Sequence, residues 1–273
     1  GYEHIVDVVN VRSDELSLYA LGGAPADILV SELIDDHVIG DGVLPSISDA
    51  RRRLLTPAAL IVPRAARMFL QPVSLRCRGL PGISLDELNV MRTDQLVLTY
   101  PFYSGKLQRL PPSEYEALGP PLEIFDFPWA TAEPGTLEKG RTTAPMTLSF
   151  SRGGVFNALQ LLFTLQMDAA PGMETAEGET FDPECDTDYS SGLDNPETHW
   201  DNPIRFLPAE LHVAQGDTLQ LVATHNEHDL SHIALHGVTE GMLTPPGGIG
   251  HPELTDSTIA HKLSVSLNMR KLS

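Results

Sequence analysis

The chain has 273 residues and a net charge of −19, with 41% hydrophobic and 20% charged residues. This composition is typical of a folded protein with one large domain or two smaller ones. The excess of acidic over basic residues, 37 against 18, argues against binding to nucleic acid or to an anionic membrane, and no apolar run reaches the ~18 residues of a membrane span.

Residues 1–64 alternate between predicted strands and one predicted helix. The predicted elements are strands at 4–11, 26–30 and 59–63 and a helix at 46–55. The run ADILV at 26–30 is almost entirely apolar, which is typical of a parallel strand covered on both faces. These 64 residues are therefore expected to be the C-terminal portion of an open α/β domain. Because the chain begins at Gly1 rather than Met and soon enters a predicted strand, we expect it to be part of a longer protein.

Residues 65–273 have a different pattern, in which short β-rich runs are separated by Pro-rich and Gly-rich turns. The runs lie at 66–75, 95–103, 122–129, 143–151, 155–167 and 204–224. This pattern is typical of an antiparallel sandwich or barrel. The acidic, aperiodic stretch 168–197 is predicted to be a long exposed loop. The predicted fold class is therefore α/β followed by all-β, with a β-barrel-like domain at 65–273.

The segment SELIDDHVIGDG at 31–42 carries an unusual density of acidic side chains directly after a predicted strand. Its acids are Glu32, Asp35, Asp36 and Asp41. Crowded carboxylates repel one another and lose hydration, so a cationic group is expected between some of them. Asp35 and Asp36 are predicted to be solvated loop acids, an interpretation that also stands as the alternative for Glu32.

Two motifs together resemble those of the protein arginine methyltransferases. In the first, Glu32 follows Ser31 after a strand and Asp41 stands nine residues later. The second, Thr198-His199-Trp200, is similar to the Thr-His-Trp loop of the family's barrel. The similarity continues in RRRLLTPAALIVPRA after the first motif and in FLPAELHVAQGDTLQLVATHN after the second. It is strongest to the type III branch, whose product is monomethylarginine.

The resemblance implies a Rossmann-like S-adenosylmethionine methyltransferase domain joined to a β-barrel, with the active site between them. Guanidinium is a poor nucleophile because its lone pairs are delocalised. The carboxylates of Glu32 and Asp41 would accept its forked N–H groups, fix its plane and hold it near the methyl group. The family's second acid is normally Glu, and Asp41 is shorter by one C–C bond, about 1.5 Å. Reduced activity is expected, since a misplacement of ~1 Å can cost about a hundredfold in rate.

The resemblance assigns roles to three further residues. His199 would pack against the acidic loop and shape the arginine pocket, as a hydrogen-bonding support or a proton acceptor. Trp200 would form a pocket wall, with a plain core tryptophan as the alternative. Asp14 would contact the adenine amino group of S-adenosylmethionine, with an exposed turn acid as the alternative. The family's Gly-rich donor loop and ribose-binding acid are not found in this sequence, so the chain alone is expected to be inactive.

The resemblance also implies the partners and the location. Arginine-containing basic proteins, such as histones and RNA-binding proteins, are the expected substrates, without direct contact to nucleic acid or membrane. A homodimer or a tandem second module is expected, and so is a cytoplasmic and nuclear location.

Two other functions remain open from the residues. His225, His228 and His232 are spaced by three and four residues and could bind zinc or another transition metal, although the segment is predicted to be an exposed turn with solvated histidines. Alternatively, with Asp at position 41, the protein could be a non-catalytic partner subunit that binds arginine-rich chains.

Overall fold

The computed structural model describes residues 5–76, 103–105, 107, 114–167, 188–192, 195, 197–243 and 267–268. Within these ranges the chain forms one α-helix, α1 (Val43–Arg53), and fourteen strands. The strands are β1 (Ala26–Val30), β2 (Leu55–Val62), β3 (Ala65–Leu75), β4 (Tyr103–Gly105), β5 (Tyr115–Ala117), β6 (Leu122–Phe127), β7 (Arg141–Thr142), β8 (Met146–Ser149), β9 (Gly154–Gln166), β10 (Tyr189–Ser190), β11 (Asn202–Val213), β12 (Thr218–His225), β13 (Leu230–His236) and β14 (Leu267–Asn268). Short 3-10 helices lie at Ser13–Glu15, Leu18–Leu21 and Glu240–Met242.

The N-terminal part contains a β-α-β unit in which β1 and β2 pair in parallel. The strand predicted at 26–30 is confirmed. The prediction that both of its faces are buried is wrong, since Ile28 is 61% and Val30 74% exposed. The strand predicted at 4–11 is also wrong, because residues 5–11 form no strand and Val8 is 91% exposed. In the described residues this sheet consists of β1 and β2 alone. Within this part of the chain, residues 5–11 therefore have no strand to pair with, and β1 is not the central strand of a larger sheet with both faces buried.

Helix α1 begins three residues before the predicted start at position 46. Gly42, in the left-handed region at φ 83°, lets the chain turn into the helix, and Val43, Leu44 and Ile47 bury the helix's apolar side. The helix ends at Arg53. Pro57 lies inside β2, which is longer than the strand predicted at 59–63.

The remaining described strands form two antiparallel sheets. Seven strands make the first, in the order β4-β11-β9-β3-β5 with β10 beside β9 and β6 beside β3, and five make the second, in the order β14-β13-β12-β7 with β8 beside β12. The β-rich runs predicted at 66–75, 122–129, 143–151, 155–167 and 204–224 are confirmed. The described strands form no closed barrel, so the antiparallel β region takes the form of two sheets.

Part of the acidic stretch 168–197 and of the run at 95–103 lies outside the described residues. Residues 188–192 contain β10, which pairs with β9, and Ser191 is buried with its carbonyl accepting the side-chain N–H of Asn202 at 2.7 Å. This end of the stretch is therefore part of the first sheet rather than of an exposed loop.

One hydrophobic core joins the β-α-β unit to the two sheets. Side chains of the acidic loop and of α1, including Ile34, Val38 and Leu44, belong to the same buried cluster as Phe127 and Phe163 of the β region. Burial of apolar side chains on this scale is the main stabilising contribution to such an arrangement. The acidic loop is consequently held against the β region rather than free in solvent.

Trp129 adds hydrogen bonds to this junction. Trp129 donates its indole N–H to the carbonyl of Pro63 at 2.6 Å, and Arg51 of α1 donates to the carbonyl of Trp129 at 2.9 Å. Helix α1 is thereby fixed to the chain segment that follows β6.

No helix in the described part of the chain is both long enough and apolar enough to cross a lipid bilayer.

Candidate functional site

The acidic loop, residues 31–42, is anchored by its apolar side chains and exposes two of its acids. Ile34, Val38 and Ile39 are buried in the core, whereas Glu32 and Asp41 are exposed. The first residue of the loop continues the parallel pairing of β1 with β2, because Ser31 donates its backbone N–H to the carbonyl of Val62 at 2.9 Å. The buried apolar side chains therefore anchor the loop, while Glu32 and Asp41 face the solvent.

Asp35 organises the loop from within and is not the solvated acid that the sequence predicts. Its carboxylate accepts the backbone N–H groups of His37 at 3.1 Å and Gly40 at 2.9 Å, and it lies 3.7 Å from the His37 imidazole. Burial works to raise the pKa of Asp35, but these hydrogen bonds hold the pKa below its ordinary value. The correction has a simple cause, since a short acid can satisfy backbone N–H groups of its own turn.

Two backbone features make the loop's shape demanding. Val38 is buried at φ 73°, a region that β-branched residues rarely adopt. At Gly40 an added Cβ would lie 1.9 Å from the Oδ2 atom of Asp35, so any other residue would force the Asp35 carboxylate to move. The observed loop conformation therefore depends on glycine at position 40.

The segment around Trp200 is tied to the acidic loop by two hydrogen bonds. The indole N–H of Trp200 donates to the carbonyl of Ile34 at 2.8 Å, and the backbone N–H of Asp201 donates to Asp36 Oδ1 at 2.8 Å. Asp36, predicted to be solvated, is thus a structural contact. The indole ring also packs edge-on against Phe163, with 5.2 Å between ring centroids.

Glu32 and His199 are brought together by these ties. The Nε2 atom of His199 lies 3.9 Å from Glu32 Oε1, and the imidazole lies over Trp200 with 3.9 Å between ring centroids. Both side chains remain largely exposed, at 72% for Glu32 and 68% for His199. His199 thus lies beside Glu32 of the acidic loop, and Trp200 is buried beneath the imidazole; the pocket-shaping role of His199 stays a prediction.

Asp41 and Asp14 line a cleft of about 520 Å³ at the start of α1. The cleft is lined by Arg12, Ser13, Asp14, Asp41, Gly42, Pro45, Ser46, Asp49, Arg52 and His228. Arg53 holds its N-terminal wall by donating to the backbone carbonyls of Leu16 and Asp14, at 2.7 and 3.1 Å. The wall and α1 therefore keep a fixed relation across the cleft.

The three carboxylates of the cleft differ in their partners. Asp14 accepts two hydrogen bonds from Arg12, at 3.0 and 2.8 Å, and Asp49 pairs with Arg53. The Arg12 pairing lowers the pKa of Asp14. Among the described residues the carboxylate of Asp41 has no partner. Asp41 is therefore the acid of this cleft best suited to receive a cationic group from outside the chain.

The structure groups the predicted site residues in two pairs. Glu32 contacts His199, and Asp41 shares the cleft with Asp14, but neither Glu32 nor His199 is among the described residues that line the cleft. That Glu32 and Asp41 flank one guanidinium stays a prediction.

The three histidines do not form a metal site. His225 is buried, contrary to the predicted exposed turn, because its ring packs edge-on against Phe125 and Phe127. Its Nδ1 atom hydrogen-bonds the Asn226 carbonyl at 2.7 Å, and its Nε2 atom accepts from Arg141 at 3.1 Å. Within the described ranges no group of three His, Cys, Asp or Glu residues could hold a metal ion.

His228 lines the cleft, although the sequence analysis named it only as a possible metal ligand. It lies on the turn between β12 and β13, more than 180 residues from Asp41 in sequence, and no spacing motif links the two.

The described fold is a β-α-β unit followed by two antiparallel sheets, and the proteins that it resembles are named arginine methyltransferases. No family model matches the sequence. An arginine N(omega)-methyltransferase of Streptomyces achromogenes subsp. streptozoticus is 29% identical over 225 residues, which cover 81% of this chain and 55% of that protein. Protein arginine N-methyltransferase 7 of Caenorhabditis briggsae is 23% identical over 239 residues, covering 82% of this chain and 33% of that protein.

Solved structures agree with these relatives at the level of the fold. A chain of the Trypanosoma brucei PRMT1 enzyme-prozyme heterotetrameric complex with AdoHcy has a TM-score of 0.64 at 15% identity, over 89% of this chain and 72% of that one. Arabidopsis thaliana protein arginine methyltransferase 10 has a TM-score of 0.58 at 16% identity, over 89% and 74%. The resemblance to protein arginine methyltransferases that the two motifs predict is confirmed. The matched part of the chain spans about half the length of the Streptomyces relative and about a third of the Caenorhabditis relative.

Proposed function

We propose that this chain forms the acceptor side of an arginine methyltransferase, which moves a methyl group from S-adenosylmethionine to a guanidinium nitrogen of arginine in basic proteins. The observation that carries the proposal is the contact of Glu32 with His199, made by two loops far apart in sequence that are tied together through Trp200 and Asp36. A net charge of −19 supports the choice of basic acceptors, because it attracts them over long range.

The proposed roles follow from the chemistry of each side chain. Glu32 and Asp41 accept N–H groups of the guanidinium and fix its plane, each charge-assisted hydrogen bond contributing roughly 1.5–3 kcal/mol. His199 steadies Glu32 and can accept the proton that the methylated nitrogen loses. Trp200 supports the pocket wall from beneath His199.

The residues that line the cleft support the binding of one edge of the methyl donor there. The cleft of about 520 Å³ has Ser13 and Asp14 on one wall, which offer polar groups to an adenine amino group. S-adenosylmethionine, when bound, supplies a methyl group on a positively charged sulfur atom. Asp14 would hold its adenine end, while the acidic loop orients the nitrogen that takes the methyl group.

The finer features rest on the resemblance of the sequence motifs to the type III branch of the family. We propose monomethylarginine as the product, histones and RNA-binding proteins as candidate substrates, and the cytoplasm and nucleus as the location. We also propose a dimer or tandem module, and closure of the β region into a barrel.

A second acceptor is favoured by one comparison. The Streptomyces relative is more similar to this chain than the Caenorhabditis relative, and its name specifies arginine rather than protein arginine. Free arginine carries the same guanidinium group, so Glu32 and Asp41 would serve it equally well. A shift to this acceptor would change the substrate class but not the reaction.

A third possibility is a non-catalytic partner subunit, since the trypanosomal neighbour is a complex of an enzyme with a prozyme. In that case Asp41 would bind an arginine without placing it for transfer.

The test is methyl transfer from S-adenosylmethionine by the natural protein that contains this chain, with an arginine-rich peptide and with free arginine as acceptors. Mass spectrometry counts the methyl groups in each product. We expect transfer to the peptide, a loss of about a hundredfold or more in Glu32→Gln, and a gain in rate in Asp41→Glu. Transfer to free arginine alone would establish the second acceptor. Absence of transfer in both the natural protein and Asp41→Glu would contradict catalysis and leave the partner subunit.

A further inference from the structure

The turn between β12 and β13 is a rigid support rather than a loose connection. The Oδ1 atom of Asn226 accepts the backbone N–H groups of His228 at 2.8 Å and Asp229 at 2.7 Å, and the backbone N–H of Asn226 donates to the Asp229 carbonyl at 2.9 Å. The preceding residue, His225, is buried and hydrogen-bonded to Arg141. The backbone at His228 is therefore held by the hydrogen bonds of the turn and by the buried residue His225.

This turn brings His228 to the cleft that contains Asp41. A Cβ placed on Gly42 would lie 3.7 Å from the Cε1 atom of His228. All other lining residues in the described chain come from residues 12–14 or 41–52, so His228 alone represents the β region in the cleft. It forms the wall that faces the start of α1.

The imidazole of His228 is available for a ligand. Its side chain is 47% exposed, and its nearest ionic neighbour, Glu227, lies 4.0 Å from Nε2, beyond hydrogen-bond distance. Among the described residues no hydrogen bond occupies either ring nitrogen. A cation bound at Asp41 would lie in the same cleft as this ring.

The chain itself contains the interaction that such a ring can make. At His225 an imidazole nitrogen accepts an N–H from the guanidinium of Arg141 at 3.1 Å. A neutral imidazole at position 228 could accept an N–H from an incoming guanidinium in the same manner.

We propose that His228 is a specificity-determining residue for the acceptor, which accepts a hydrogen bond from the arginine guanidinium as it binds at Asp41. This inference rests on the proposed function, because it takes arginine as the guest. It adds the β12–β13 turn to the acidic loop and to His199 as a third element that recognises the acceptor.

The experiment measures binding of an arginine-rich peptide to the full chain by isothermal titration calorimetry. A peptide with lysine at each arginine position measures charge attraction alone. The variants are His228→Ala, His228→Gln, which keeps a hydrogen-bond acceptor, and His236→Ala, a matched control at an exposed histidine at the end of β13. Thermal unfolding of each variant confirms that the fold is kept.

We expect His228→Ala to weaken arginine-peptide binding about tenfold, with His228→Gln less affected and His236→Ala unchanged. The lysine peptide should lose much less, because a guanidinium offers more N–H groups than an ammonium. Equal binding of the arginine peptide by the wild type and His228→Ala would overturn the inference and leave the proposed function intact. A wild-type chain that binds no arginine peptide, together with no methyl transfer by the natural protein, would overturn both.

Discussion

Trp200 donates its indole N–H to the main-chain carbonyl of Ile34 at 2.8 Å, across 166 positions of sequence. This bond joins the β region to the acidic loop directly beneath the contact between Glu32 and His199. The geometry of the proposed arginine pocket therefore depends on a tryptophan that itself lies in the core.

Replacing Trp200 with Phe tests whether its hydrogen bond to Ile34 supports arginine binding as well as the stability of the fold. The substitution keeps an aromatic ring but leaves the carbonyl of Ile34 without its donor, which should lower the free energy of unfolding by about 1–3 kcal/mol. Denaturation in urea measures the loss, and calorimetry with an arginine-rich peptide should show weaker binding.

Trp129→Phe is the matched control, since its indole N–H bonds the carbonyl of Pro63 and not a carbonyl of the acidic loop. It should lose comparable stability and keep peptide affinity. Equal loss of affinity in both variants would contradict a specific role for Trp200.

Gly40→Ala should disrupt the acidic loop. An added Cβ would lie 1.9 Å from Asp35 Oδ2, so the two backbone hydrogen bonds to Asp35 could not persist. We expect a loss of about 2 kcal/mol in the free energy of unfolding and a clear loss of arginine-peptide binding. In Gly241→Ala, where the nearest atom is 4.0 Å away, stability and binding should be almost unchanged. A stable Gly40→Ala variant with normal binding would show that the loop tolerates other conformations.

Removing the charge of Asp41 should weaken arginine-peptide binding about tenfold, because the guest guanidinium loses one charge-assisted hydrogen bond. Calorimetry on Asp41→Asn measures the effect. Glu123→Gln makes the same charge change on an exposed residue of β6 and should alter binding little. If both variants weaken binding equally, attraction to the overall negative charge, and not contact at Asp41, accounts for the affinity.

His225 should make stability depend on pH on the acidic side of neutrality. Burial, together with Arg141, lowers the pKa of this imidazole in the folded chain, so the unfolded chain binds a proton first as the pH falls. The stabilisation is complete above the unfolded pKa of about 6.5 and is lost as the pH falls from there through the folded value.

Urea denaturation between about pH 8 and pH 5 should therefore show a smaller free energy of unfolding at lower pH. His225→Leu should be less stable throughout and should have a weaker pH dependence in this window. His232 has its pKa lowered by burial as well, so part of the dependence should remain. An unchanged slope in His225→Leu would contradict a neutral buried imidazole.

Much of the fold could be predicted from local sequence patterns. Alternating and continuous apolar runs located β1, β3 and β9, because side-chain periodicity reflects the burial of each strand. The same reasoning failed for residues 5–11. Their β-branched side chains suit a strand, but strand formation needs a partner for the backbone, which the described sheet does not provide.

The candidate site was partly predictable for a related reason. Glu32 and His199 could be named from motifs, since each stands in a distinctive local pattern. The hydrogen bond that Asp35 accepts from Gly40 depends on the conformation of the loop. The hydrogen bond between Asp36 and Asp201, and the position of His228 in the cleft, depend on contacts between residues distant in sequence. Composition and spacing carry no information on such contacts.

The most direct test of the arginine pocket is a double-mutant cycle with Glu32→Gln and Asp41→Asn, in which the affinity for an arginine-rich peptide is measured by calorimetry. If both carboxylates hold one guanidinium, the two substitutions should be coupled by about 0.5 kcal/mol or more, and the wild type should prefer the arginine peptide over its lysine counterpart. Strictly additive effects with no preference for arginine would contradict the account.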